Sequence, residues 1–153
     1  MGLKLSSKIV FVGGAVVSFY STSQNIIDSC PTKDIDCVIQ LTSRLNYTAL
    51  EQELRKKGFE NDLSQKAPIC RWLYQDITVD IMPDDLKILG FTNIWYKEGV
   101  KNSVNYNIFD NIVVKIFSAP YFIASKFEAY KTRKIDDENM SQDFEDIITS
   151  GCS

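Results

Sequence analysis

Short apolar runs along the chain predict strands, and turn residues separate them from segments with a helical pattern. Four stretches are β-branched or alternate between apolar and polar residues, at 8–12, 34–41, 68–74 and 76–83. The last two are expected to form a hairpin joined near Gln75. A further stretch, 103–118, predicts two short strands that turn at the sequence "FDN".

Helical patterns fill the intervals between these strands. We expect helices after Gly13-Gly14 and at 46–59, 84–91, 118–134 and 139–151. The pattern at 46–59 is amphipathic, with Tyr47, Leu50 and Leu54 along one side and Gly58 in place to cap the C-terminal end. Strands that alternate with helices, together with one hairpin, predict an α/β protein whose mixed sheet carries helices.

Length and composition fit one domain. The chain has 153 residues, of which 44% are hydrophobic, and this is enough for a substantial core. We therefore expect a single domain over 1–153, in which 1–117 form the sheet core with the site and 118–153 form helices packed on it.

Several functional classes and locations are disfavoured. The N-terminal apolar run stops at Gly13-Gly14 without a cleavage pattern, and no run is as long as a membrane span, so neither a signal peptide nor a membrane partner is expected. The four cysteines lack the CxxC spacing of a zinc site. Cys37 and Cys70 lie in apolar strand-like segments, where cysteine acts as a small hydrophobic residue, so we expect no disulfides and a reducing, cytoplasmic location. The net charge of −3 argues against a generic basic nucleic-acid binder.

The sequence contains no histidine. This excludes Ser-His and Cys-His nucleophilic systems and zinc hydrolases that depend on histidine ligands. Any acid-base chemistry must therefore use carboxylates, lysine or water.

Three aspartates lie on predicted strands, so the direction of each side chain can be inferred from its position in the strand. Asp34 and Asp36 begin the strand at 34–41, and because they are two residues apart they point to the same side, about 7 Å apart. Asp80 lies inside the strand at 76–83, where aspartate is uncommon. If the two strands are neighbours, the carboxylates would form a hard-oxygen site suited to Mg²⁺, and two such ions about 4 Å apart could support phosphoryl chemistry. The alternative interpretation is a solvated strand end.

Two other features could contribute to the same site. The backbone at Gly13-Gly14 could approach a triphosphate closely, although a tight turn explains the pair equally well. Lys126 and Arg133 share a stripe at the edge of the apolar face of the helix at 118–134, where they could face phosphate or pair with surface acids. The basic runs at 55–57 and 131–134 could hold an RNA backbone if they line the cleft, and are otherwise solvated helix faces.

The order of these motifs resembles that of the nucleotidyltransferase superfamily, which has a polymerase β-like fold. The sequence "FVGG" at 11–14 and "TKDIDCVI" at 32–39 are similar to its Gly-Gly and Asp-x-Asp signature, and "VDIMP" at 79–83 is similar to the strand with its third carboxylate. The C-terminal part resembles the AbiEii/AbiGii toxin-type group. There the Lys-x-x-Ala-x-x-x-Arg helix and the following Asp-x-x-Asp correspond to Lys126, Ala129, Arg133, Asp143 and Asp146.

The resemblance implies a Mg²⁺-dependent transfer of a nucleotide from an NTP to an acceptor hydroxyl on tRNA or protein, with release of pyrophosphate. It implies that two Mg²⁺ or Mn²⁺ ions are bound by Asp34, Asp36 and Asp80. Lys126 would complete the catalytic set by neutralising phosphate charge. The implied nucleotide-binding residues are Gly13, Gly14, Thr32, Lys126 and Arg133.

The resemblance also bears on the C-terminal helix and on partners. We expect Asp143 to support Lys126 or Arg133 without contacting the metal ions. Toxins of this group are usually encoded beside an antitoxin, so a cognate partner protein is implied. Two alternatives remain: a minimal nucleotidyltransferase antitoxin that adenylylates a partner protein, and a non-catalytic domain of the same fold that binds nucleotide or a partner.

Overall fold

A mixed β-sheet runs through the part of the chain that this computed structural model describes, residues 3–20 and 33–132. Within those residues the strands are β1 (Ile9–Val12), β2 (Asp34–Ile39), β3 (Glu60–Asn61), β4 (Arg71–Tyr74), β5 (Ile77–Pro83), β6 (Val104–Phe109) and β7 (Ile112–Ile116). Their order across the sheet is β3-β4-β5-β2-β1-β7-β6.

Parallel and antiparallel pairs alternate irregularly across the sheet. β2 is parallel to β5, and β1 is parallel to β7. The pairs β1–β2, β3–β4, β4–β5 and β6–β7 are antiparallel. The predicted α/β class with a mixed sheet is therefore confirmed, and so are the hairpin at Gln75 and the turn between β6 and β7.

Helices connect the strands. They are α1 (Leu3–Ser6), a 3₁₀ helix (Gly14–Tyr20), α2 (Arg44–Lys56), α3 (Leu86–Leu89), α4 (Tyr96–Lys101) and α5 (Ala119–Thr132). Over residues 3–20 and 33–132, no helix has both the length and the apolar character that are needed to cross a bilayer.

The predicted helices correspond to α2, α3 and α5. One predicted helix is of a different type, and one observed helix was not predicted. The segment after Gly13 is a 3₁₀ helix of seven residues and not an α-helix. α2 begins two residues before the predicted start because the Ser43 side chain accepts a hydrogen bond from the Asn46 amide and caps the helix. The sequence did not predict α4, and the helix predicted at 139–151 lies outside the described residues.

Each face of the sheet has its own hydrophobic core. On the first face, Cys37, Ile39 and Ile81 pack with α2, whose Leu54 is fully buried. On the second face the strands pack with residues of the 3₁₀ helix and α5, in a cluster of Val10, Val12, Val16, Val38, Ile116, Phe117 and Phe122. Because strand side chains alternate, Asp34, Asp36 and Asp80 all belong to the second face.

Specific contacts hold α4 and α5 against the second face. The Tyr20 hydroxyl donates to the Phe117 carbonyl at 2.5 Å, and the Asn93 amide donates to the Ser125 carbonyl at 2.9 Å. Gly99 of α4 lies directly on the Phe117 ring, where an added Cβ would be 2.7 Å from Cε2. These contacts determine where α5 lies over the aspartate-bearing strands.

Candidate functional site

The aspartates meet where β2 and β5 run side by side. The parallel register places Asp36 opposite Asp80 and Asp34 opposite Thr78. Side chains at paired positions of neighbouring strands point to the same face, so the Asp36 and Asp80 carboxylates are neighbours. Asp34 lies two residues earlier on the same face, at the exposed start of β2. The proximity of the two strands that the sequence suggested is therefore present.

A cleft of about 190 Å³ opens beside this pair. Its walls include Asp36 and Asp80 from the sheet, Gly13 after β1, Tyr96 of α4 and Lys126 of α5. Lys126 thus reaches the same cleft as the carboxylates, as the stripe position on the helix suggested. Its ammonium group also lies 5.8 Å from the centre of the Phe122 ring, which steadies the long side chain.

The Asp36 side chain occupies the space that a side chain at position 13 would need. Its backbone is left-handed, with φ of +77°, and an added Cβ would lie 2.9 Å from Asp36 Cβ and 3.0 Å from Asp36 Cγ. Glycine is therefore required here for both backbone and packing reasons. Gly14 begins the 3₁₀ helix. The predicted contact between Gly13-Gly14 and phosphate stays a prediction.

Arg71 is a charged residue of the site that the sequence reasoning missed. Its Nε donates to Asp80 Oδ1 at 2.8 Å, and its Nη2 donates to Asp80 Oδ2 at 2.9 Å. The signal was present in the predicted hairpin, because a turn at Gln75 pairs Tyr74 with Ile77 and consequently Arg71 with Asp80. Arg71 and Lys126 thus place positive charge on two different sides of the carboxylate pair.

The Asp36 carboxylate lies in an environment that opposes its ionisation. Burial raises the pKa of Asp36 to about 6, and the neighbouring Asp80 carboxylate adds to that rise. Lys126 opposes the rise in pKa, Asp34 adds to it, and Arg71 opposes it. Hydrogen bonding to Asp80 raises the pKa of Arg71 above its usual range, so the guanidinium stays charged.

The raised pKa predicts how stability depends on pH in the ligand-free protein. An unfolded aspartate has a pKa near 4, so as the pH rises from about 4 to about 6 the unfolded state loses its proton first. The folded state then loses on the order of 3 kcal/mol of relative stability across that window. Urea unfolding at several pH values should show this loss in the native protein relative to Asp36→Asn. Parallel pH profiles of the two proteins would contradict the assignment.

The donor set fits a hard divalent cation, with one obstruction. Asp34 and Asp36 supply carboxylate oxygens from one strand, and a cation would offset the burial and the carboxylate repulsion that together raise the pKa of Asp36. In the described ranges, however, no three carboxylate or thiol side chains come together in a ready metal centre. The physical reason is that both Asp80 oxygens face Arg71, while Asp34 lies at the exposed end of the strand.

A larger cavity of about 410 Å³ lies elsewhere, between α1 and α2. Leu5, Leu41 and Leu50 line much of it, and its charged lining includes Lys8 and Lys57. It holds no pair of neighbouring carboxylates among its lining residues, so its chemistry is less suited to metal or nucleotide. The basic run at 55–57 belongs to this side of the sheet, since α2 packs on the first face. It therefore lies away from the cleft.

Some predicted site residues cannot be placed. Thr32, Arg133, Asp143 and Asp146 lie outside the described residues, as does the whole of the last predicted helix. Their predicted roles in nucleotide binding and in support of Lys126 stay predictions.

Comparisons of the chain with protein-family models and with curated proteins find no match. Support for a function therefore comes from the order of the motifs and from the positions of their side chains.

Proposed function

We propose that this protein is a Mg²⁺-dependent nucleotidyltransferase of toxin-antitoxin type. It would transfer a nucleotide from an NTP to an acceptor hydroxyl on tRNA or protein and release pyrophosphate. The observation that carries this proposal is the pairing of Asp36 with Asp80 on parallel strands, beside Gly13 and facing the cleft that Lys126 lines. Two partly buried carboxylates that face a cleft with a lysine on its wall suit metal-assisted phosphoryl chemistry.

Each residue contributes through its position. Asp34 and Asp36 would hold both cations, and Asp80 would hold the cation on the attacking side and help to orient or deprotonate the acceptor hydroxyl. When bound, the ions would neutralise phosphate oxygens and activate the attacking oxygen. Gly13 would keep the backbone clear of the Asp36 carboxylate, and Lys126 would neutralise charge on the phosphates from the α5 side.

We also propose a cytoplasmic location, because NTP and tRNA are found there. Cys37 and Cys70 are buried free thiols, which is compatible with a reducing compartment.

Lys126→Ala is expected to weaken nucleotide binding by about tenfold with little change in melting temperature. A lysine–phosphate contact is charge-assisted, and its loss typically changes affinity by this amount. A lysine at the edge of a core contributes little to folding. The measurement is calorimetric titration with each of the four NTPs in the presence of Mg²⁺, and the thermal unfolding of the same samples.

Lys131→Ala is the matched control, since Lys131 is exposed on the same helix and lies 3.9 Å from Glu128. Equal nucleotide affinities in the two variants would remove Lys126 from the proposed site.

The activity itself is tested by incubation with each α-³²P-labelled NTP, Mg²⁺ and either total tRNA or a protein lysate, with Asp36→Asn in parallel. A labelled product that requires Asp36 supports the proposal, and the nature of the labelled molecule identifies the acceptor. Label on a single co-expressed protein would indicate the antitoxin-like alternative. No label on RNA or protein would reject the transferase.

The pairing of Arg71 with Asp80 favours one second candidate, a non-catalytic domain that binds nucleotide or a partner protein. In that case Asp80 would serve as a permanent ion-pair partner and not as an acceptor-side carboxylate. Cation-dependent NTP binding without any labelled product would favour this candidate over the transferase.

A further inference from the structure

Arg71 and Asp80 form a bidentate ion pair, and Asp80 lines the cleft. Each Asp80 oxygen accepts one hydrogen bond from the guanidinium, at 2.8 and 2.9 Å. The Asp80 side chain is only 16% exposed, whereas the Arg71 side chain is 34% exposed. The carboxylate is therefore the fixed partner, and the guanidinium has room to leave toward solvent.

The strand register makes this pair part of the site. Arg71 is the cross-strand neighbour of Asp80, and Asp80 is the neighbour of Asp36 on the next strand. Arg71 also interacts electrostatically with Asp34. Arg71, Asp80 and Asp36 therefore lie in one row across β4, β5 and β2, with the guanidinium in direct contact with Asp80.

We propose that Arg71 exchanges partners when the site is loaded. Arg71 neutralises Asp80 in the arrangement described above; a divalent cation bound at Asp80 would take its place, and the released guanidinium would bind the phosphates of the incoming nucleotide. This proposal rests on the proposed function and adds a residue that positions phosphate and controls cation access.

Electrostatics supports the first half of the exchange. A divalent cation and a guanidinium on one carboxylate repel each other at short range, and little solvent is present at Asp80 to screen them. The guanidinium of Arg71 and the metal ion therefore compete for Asp80. The metal ion is favoured because it carries two positive charges and the guanidinium carries one.

The architecture supports the second half. Next to Arg71, Trp72 is fully buried in the core of the first face, so the β4 backbone is anchored while the Arg71 side chain moves. A guanidinium that leaves Asp80 consequently stays beside the cleft. Its planar set of donors matches phosphate oxygens as well as it matches a carboxylate.

The exchange predicts opposite changes in two affinities when Arg71 is replaced by glutamine. Mn²⁺ alone, titrated by electron paramagnetic resonance, should bind about tenfold more tightly to Arg71→Gln, since its competitor on Asp80 is gone. The Mg²⁺ complex of tripolyphosphate, titrated by calorimetry, should bind about tenfold more weakly, because a phosphate ligand is gone. Lys66→Gln removes one positive charge from an exposed loop position and is the matched control.

Arg71→Lys is the second variant, for the case in which Arg71→Gln does not fold, because lysine keeps a positive charge beside the partly buried Asp80. Circular dichroism establishes that each variant is folded. Should Arg71→Gln fail to fold, Arg71→Lys decides, because lysine cannot make the two parallel hydrogen bonds of the guanidinium and therefore holds Asp80 and phosphate less firmly. Tighter Mn²⁺ binding with weaker tripolyphosphate binding supports the exchange, and any other pair of results overturns it.

The failures of the two proposals can be told apart. If the native protein binds Mn²⁺, Asp36→Asn does not, and Arg71→Gln is unchanged, the exchange is wrong while the metal site stands. Tighter Mn²⁺ binding with unchanged tripolyphosphate binding also overturns the exchange. If neither the native protein nor Arg71→Gln binds Mn²⁺, the exchange and the metal-dependent function are both rejected.

Discussion

Asp36→Asn is expected to reduce nucleotide transfer more than about 100-fold while the protein stays folded. Asparagine has the volume of aspartate, so the packing against Gly13 is kept, but it cannot supply a charged oxygen to a metal ion. Asp36 is the central carboxylate of the site, with Asp80 beside it on β5 and the cleft in front of it. Its removal therefore affects the metal ligand set more than the loss of either outer carboxylate.

The same substitution should not destabilise the fold above pH 6. Ionisation of Asp36 is unfavourable in the folded state, so its replacement by a neutral residue removes that penalty. Transfer assays and urea unfolding on the same preparation test both statements. Asp110→Asn, at an exposed position between β6 and β7, is the control for loss of one negative charge. Full transfer activity in Asp36→Asn would reject the metal site.

The parts of the fold that the sequence predicts are those that depend on local periodicity. The alternation in β2 and β5 assigns Val79 and Ile81 to one face and Asp80 to the other, and the structure has the same division. The amphipathic pattern of α2 likewise identifies Tyr47, Leu50 and Leu54 as its buried side. A period of two or 3.6 residues determines a side-chain direction without reference to the rest of the chain.

Features that depend on distant contacts could not be predicted in this way. α4 contains Gly99, which weakens its helical pattern, and the reason for that glycine is the Phe117 ring on which it packs. β1 lies between β2 and β7, and no local pattern indicates that residues about one hundred positions apart will pair. The 3₁₀ geometry after Gly13 depends on similar contacts, since this segment is held between the sheet and α5 through Tyr20.

The site shows the same distinction between local and distant information. The three carboxylates and Lys126 could be predicted as site residues from their residue types, from the alternation of side chains along the strands and from the order of the motifs. Arg71 was missed because an arginine in a strand has no special meaning until its cross-strand neighbour is known. The hairpin at Gln75 determines that neighbour, because the position of the turn sets the register of β4 against β5 and so pairs Arg71 with Asp80.

Gly13→Ala is expected to destabilise the protein by about 2–5 kcal/mol and to abolish transfer. A left-handed backbone at a residue with a Cβ costs about 1–2 kcal/mol. The added methyl group also meets Asp36 Cβ and Cγ at 2.9 and 3.0 Å, which are distances that require one of the two strands to shift, and such overpacking costs about 1–3 kcal/mol more. A shift of β2 would move the Asp36 carboxylate relative to Asp80, and an unrelieved clash would press on the same side chain, so the loss of transfer follows from the contact between residue 13 and Asp36.

Gly90→Ala separates the two contributions. Gly90 has nearly the same left-handed backbone, with φ of +83°, but an added Cβ there meets no atom within 4 Å. Its loss of stability should therefore be limited to the backbone cost, and transfer should be unaffected. Urea unfolding and transfer assays on the two alanine variants measure the difference. Equal losses of stability in both would mean that Gly13 serves the turn alone, and that the Asp36 carboxylate does not depend on the space beside it.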